Sequence, residues 1–224
     1  MNKLTSVRKD MDHSPKNKRY SSRLRLWHWL NALVITGSLL TVLINSTILD
    51  SKNASPLIIS ALANKQVNVN NNQARAVAHD LADKVWEWHT YFGFALAALF
   101  LFRLGLEFFQ LAERKLSHSI AKAYRQFFII KQQRELAGHE FWVKTIYAAF
   151  YLVLFISVIT GFDLAFEDDF PALRKFHFLK EIHELNMYLI LVFILVHLAG
   201  VFLAERTTKD KGIISDMING GKQS

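Results

Sequence analysis

Four stretches of this chain are apolar, nearly uncharged and long enough to cross a bilayer: Leu26–Asn45, Trp88–Phe109, Phe141–Phe162 and His183–Ala204. A helix needs about 20 such residues to span the hydrocarbon. The blocks therefore predict an all-α membrane protein, a bundle of four transmembrane helices. Residues 1–25 form a basic arm, 26–204 the bundle with a long loop at 46–87, and 205–224 a tail. The first block follows 25 polar residues and has no small-residue cleavage site, so it is expected to be a retained helix and not a leader peptide. With 224 residues and only three prolines, the chain has room for a single bundle.

The net charge of +8 invites a nucleic-acid reading, but the distribution of the charge speaks against it. Segments 1–25, 103–144 and 205–224 carry 8, 8 and 4 Lys and Arg, whereas 46–87 and 163–182 carry 4 and 3. Four spans put the first three segments on one side and the other two opposite. Basic residues gather on the cytoplasmic side of such proteins, so both termini are expected in the cytoplasm. The excess is then a topology signal with some attraction to anionic lipid, and no nucleic-acid partner is expected. The chain has no cysteine. That excludes disulfides, thiolate-held iron–sulfur clusters and covalently attached haem. A redox centre here must be held by histidine, methionine or oxygen.

The loop 46–87 begins with polar and turn-forming residues (Asp50, Asn53, Pro56) and reaches the low-complexity patch NVNNNQ. From Gln73 to Trp86 apolar residues recur at helical spacing, so a surface helix is expected to lead into the second span. The loop is far longer than a hairpin connection requires, which points to contact with a partner. On the opposite side, 111–140 mixes charged and apolar residues and is expected to lie along the membrane interface.

Within the blocks stand four histidines, His28, His89, His183 and His197. An ionisable side chain inside a membrane span is costly and marks function. His183 and His197 are 14 residues apart on one helix. At about 3.6 residues per turn both leave the same face, separated by roughly 21 Å along the axis. Alternating helix direction then fixes depth. His28 starts an outward helix and lies toward the cytoplasm; His89 starts an inward helix and lies outside. On the last helix His183 is outside and His197 deeper. The expected pairs are His28 with His197 and His89 with His183, and the third span contributes no histidine. Two imidazoles from facing helices can supply both axial ligands of an iron porphyrin, and bundle cores commonly house such sites. The expected cofactors are two haem b groups, with His28 and His197 on the inner iron and His89 and His183 on the outer.

Other residues bear on these sites more weakly. Arg103 lies 14 residues beyond His89 and shares its face, where a haem propionate would neutralise it; snorkelling or pairing with Glu107 explains it as well. Arg25 is a second propionate candidate, with a plain membrane-flank anchor as its rival. Gly93 and Gly200 follow ligands by four and three residues, where a missing side chain could admit a flat macrocycle. Glycine is also common at membrane helix contacts. His13, His79, His118 and His177 fall in polar segments and are read as solvated.

The segments RLRLWHWLNALVITGSLL, WHTYFGFALAALFLFRL and IHELNMYLILVFILVHLAG, with the closing GIISDMINGG, resemble the bacterial cytochrome b561 / nickel–iron hydrogenase cytochrome b family from about Arg23 to Gly221. The resemblance implies two b haems held by His28, His89, His183 and His197. It further implies electron transfer between quinone and a redox partner protein or enzyme subunit on the periplasmic side of the bacterial inner membrane. The loop 46–87 is longer than in compact members, which affects the surface that would dock that partner. His139, Glu140 and Lys144, where the inner loop enters the third span, are quinone-site candidates able to exchange protons. No centre for oxidising a substrate is evident, so the chain reads as a subunit more than a self-sufficient enzyme. Three rivals remain: a transporter or proton relay built on titrating histidines, a non-haem metal site using Glu184, and a redox-inactive membrane anchor.

Overall fold

The structure is a computed structural model that describes residues 21–109, 116–131, 134–206 and 212–220. The side chains of residues 116–117, 134–137, 139 and 140 are outside that description, as are the basic arm 1–20 and His13. All described secondary structure is helical: α1 Ser22–Thr47, α2 Ser51–Ala63, α3 Asn71–Phe109, α4 Leu116–Tyr124, α5 Arg134–Ala165, α6 Phe178–Arg206 and α7 Ile213–Asn219. A π-helical turn, Arg125–Ile130, extends α4, and Lys131 in the left-handed region (φ 59°) ends it. Among the described residues four helical segments are long and apolar enough to cross a membrane: Ser22–Thr47, Asn71–Phe109, Phe141–Ala165 and Phe178–Arg206.

The loop 46–87 is built as a helical hairpin. Asp50 starts α2 by accepting the Lys52 backbone N–H at 3.0 Å. Asn70 and Gln73 form a reciprocal cap at the start of α3: the Asn70 side chain accepts from Gln73 N, and the Gln73 side chain accepts from Asn70 N, both at 2.9 Å. Each bond satisfies a backbone donor that the first turn leaves orphaned. The expected surface helix is therefore not a separate element. It is the first part of α3, a single 39-residue rod that carries the second span. The hairpin closes on small residues, with Ala54, Ala74 and Ala78 buried, which lets two backbones approach closely.

The chain divides into two compact units, residues 30–194 and the two ends 1–29 with 195–224. In the first, α1, α3, α5 and α6 share one apolar core of Ile35, Leu96, Phe100, Leu154 and Ile190. Phe150 and Phe193 stack beside it, centroids 3.9 Å apart. Outside the core the helices stay apolar: Leu101, Leu152, Leu185 and Val192 are more than half exposed. Only 6% of the most apolar window of α6 is buried. Apolar surface on this scale is unfavourable in water and matches a lipid surround.

Candidate functional site

His89 on α3 and His183 on α6 face each other within unit 30–194. Their ring centroids are 6.2 Å apart and the planes are nearly perpendicular, at 82°. The other two helices of the core hold them. Thr41 of α1 stands 3.0 Å from His89 Nδ1 through its hydroxyl, with the Ser38 carbonyl at 3.3 Å. Thr160 of α5 stands 2.8 Å from His183 Nδ1. Each threonine hydroxyl donates its own hydrogen to a backbone carbonyl, Thr41 to Ser38 at 2.6 Å and Thr160 to Ile156 at 2.8 Å. The oxygen can then only accept from the imidazole. Both histidines are fixed with the proton on Nδ1, which leaves the Nε2 lone pair for a metal. Gly161 completes the arrangement, because a Cβ there would sit 3.2 Å from His183 Cε1.

The second pair lies in the unit formed by the chain ends. His28 of α1 and His197 of α6 have centroids 6.0 Å apart with planes at 57°, and Trp29 meets the His28 ring edge-on at 5.5 Å. Both separations suit one iron held between two imidazoles. With metal–nitrogen bonds of about 2 Å on each side and roughly 1 Å from each nitrogen to its ring centre, the centroids fall about 6 Å apart. Among the described residues no group of three or more His, Asp or Glu converges, so a carboxylate-rich non-haem site built around Glu184 finds no support.

The two arginines differ in their partners. Arg103 reaches Glu107 at 3.4 Å and the Tyr151 hydroxyl at 3.2 Å, in the half-buried flank of the core. Arg25 donates to the Ile218 carbonyl and to the Ser22 hydroxyl, each at 3.4 Å, while its Nε is shielded from solvent and has no hydrogen-bond partner. A methyl group added at Gly93 or Gly200 would meet no atom within 4 Å, and the same holds for Gly105, which adjoins no histidine pair. Protein packing therefore requires glycine at none of the three. His139, Glu140 and Lys144 all ride on α5, with the side chains of the first two outside the described residues. His79, His118 and His177 are exposed, and His79 pairs with Asp83 at 3.0 Å.

Ser38, Thr41, Thr160 and Gly161 escape sequence reasoning. Small and hydroxylated residues are ordinary in membrane helices, and only the fold reveals which of them reach an imidazole.

The family model described as prokaryotic cytochrome b561 matches residues 19–220. No curated protein and no solved structure matches the chain. The match takes in both histidine pairs and every described helix, and the chain belongs to the prokaryotic cytochrome b561 family.

Proposed function

We propose that this protein is a di-haem b cytochrome of the bacterial inner membrane that transfers electrons between the quinone pool and a redox partner on the periplasmic side. Family membership supports a membrane b-type cytochrome in electron transfer. The observation that carries the finer reading is the pair of imidazole couples, at 6.0 and 6.2 Å between ring centres. His28 and His197 would hold one haem, His89 and His183 the other. Held between two such imidazoles, haem would supply reversible one-electron chemistry.

The protein's own share is placement. Thr41, Ser38 and Thr160 orient the ligands of the outer pair. Arg25, with a shielded donor to give, is the stronger propionate candidate. Arg103 already has a carboxylate in Glu107, so a propionate would have to share it. Gly93 and Gly200 stay open beside their histidines. His139, Glu140 and Lys144 remain the candidates for proton exchange with quinone. Their neighbourhood includes the π-helical turn, a distortion often found at functional sites, and an aromatic group in which Phe127 and Phe141 lie parallel. The outer helical hairpin is the surface offered to the partner protein, and both termini would lie in the cytoplasm.

A reduced-minus-oxidised absorbance spectrum with pyridine haemochrome quantification tests the reading. Two protohaems per chain are expected, falling to one in either His89→Ala or His28→Ala. A haem-free wild-type protein, or a count unchanged in both variants, overturns it.

A further inference from the structure

The C-terminal helix α7 has seven residues, too few to be stable alone. It is held at both ends by side chains from other elements. At its start the Glu205 carboxylate of α6 accepts from Gly212 N at 2.9 Å and Ile214 N at 3.3 Å, satisfying two first-turn donors and setting a negative charge at the positive end of the helix. At its end two carbonyls without intrahelical partners face α1. Met217 O accepts the Trp29 indole N–H at 3.1 Å, and Ile218 O accepts from Arg25 Nη1 at 3.4 Å.

Gly220 closes the helix in the left-handed region, φ 79°, and its N–H bonds back to Asp216 O at 3.1 Å. The backbone favours glycine there, and any larger residue would push the Arg25 guanidinium aside. The backbone angle is strained for other residues, and a Cβ would stand 2.7 Å from Arg25 Nη1 and 3.0 Å from its Cζ. The guanidinium thus lies against the Gly220 backbone, with one nitrogen on α7, one on Ser22, and Nε shielded and unpartnered. Among the described residues no carboxylate pairs with it. A shielded donor on a charged group is costly when left unmade, and a guanidinium fork matches a carboxylate. Arg25 precedes His28 by three residues, a spacing that brings the two side chains near one another on a helix.

We infer that Gly212–Gly220 is a positioning latch that fixes Arg25 beside His28 as the donor for a carboxylate, of the kind a haem propionate presents. The carboxylate half of this inference rests on the haem reading above; the latch itself does not. Arg25 is here a positioning and charge-compensating residue for the His28–His197 site, and Gly220 acts through it.

The test uses full-length, haem-loaded protein in lipid nanodiscs: wild type, Gly220→Ala, Arg25→Gln, the double variant, and Gly105→Ala as a control. Hydrogen–deuterium exchange over residues 212–220 reads the latch, and a redox titration reads the haem that His28→Ala removes. In wild type α7 is expected to be protected, and Gly220→Ala to speed its exchange at least tenfold. Gly220→Ala and Arg25→Gln are each expected to move that haem's midpoint potential negative, since a fixed cation favours the reduced form. The double variant goes no further, and the other haem and the control stay put. Should Gly220→Ala fail to fold, Glu205→Gln loosens the opposite end of α7 and carries the same expectation. Three results overturn the inference: wild-type α7 exchanging as fast as an unstructured peptide, a released latch with an unmoved potential, or additive shifts in the double variant. A haem-free wild type sinks the functional reading and the carboxylate role together, while the exchange measurement still decides the latch.

Discussion

At the residue scale, the threonines facing His89 and His183 carry the most consequence for their size. Each forces a tautomer through one hydroxyl whose hydrogen is already committed to a carbonyl. Replacing Thr160 with valine keeps the shape and removes the acceptor of the His183 Nδ1–H. Loss of such a supporting bond typically weakens metal-site affinity by about 10- to 100-fold, so Thr160→Val is expected to retain the His28–His197 haem and lose the other on dilution or in mild detergent. Haemochrome counts before and after gel filtration measure this. The ring planes give a second expectation. At 82° the His89 and His183 imidazoles are nearly perpendicular, whereas His28 and His197 stand at 57°. Low-spin ferric haem between perpendicular imidazoles has a more anisotropic electron paramagnetic resonance signal. The signal lost in His89→Ala should therefore be the more anisotropic of the two.

At the element scale, the sequence showed the helices better than it showed their joins. Long uncharged runs mark spans because lipid leaves few alternatives, and the histidines sit on them at spacings that helix geometry makes readable. The start of α3 was harder to see. Asn70 and Gln73 lie in a run of Asn and Gln that looks like an unstructured patch, yet together they cap the longest of the described helices. Asn70→Ala should destabilise that first turn by about 1 kcal/mol, seen as faster amide exchange over residues 71–76 with no change in haem content. Ala78 offers the opposite test. It is fully buried in the hairpin, so Ala78→Leu should cost about 1–3 kcal/mol through overpacking and open the hairpin to protease while the spans stay protected. Helix α7 was legible only as the closing GIISDMINGG of the family resemblance, without a structural role, since seven residues have no stability of their own and its partners, Arg25 and Trp29, are nearly two hundred positions away.

At the scale of the whole molecule, what the chain exposes is as informative as what it buries. Side chains such as Leu101, Leu152 and Val192 would drive aggregation in water, so lipid completes the fold. The asymmetric placement of Lys and Arg leads us to expect both termini on the cytoplasmic side. Alkaline phosphatase fused within the hairpin at Asn64 should be active, and the same reporter fused after Ser224 should be silent; the reverse pattern would invert the topology.

The unbroken length of α3 has a mechanical implication. His89 lies 18 residues from the start of a helix that runs without interruption from Asn71 to Phe109, a lever arm of roughly 27 Å. If His89 holds a haem as proposed, a protein gripping the far tip of the hairpin would thereby tug on that ligand, so that contact made outside the bilayer would register as strain on a bond within it. A proline at exposed Lys84, which would break the arm by removing a backbone bond, should leave the cofactor in place yet render its spectrum deaf to whatever binds above.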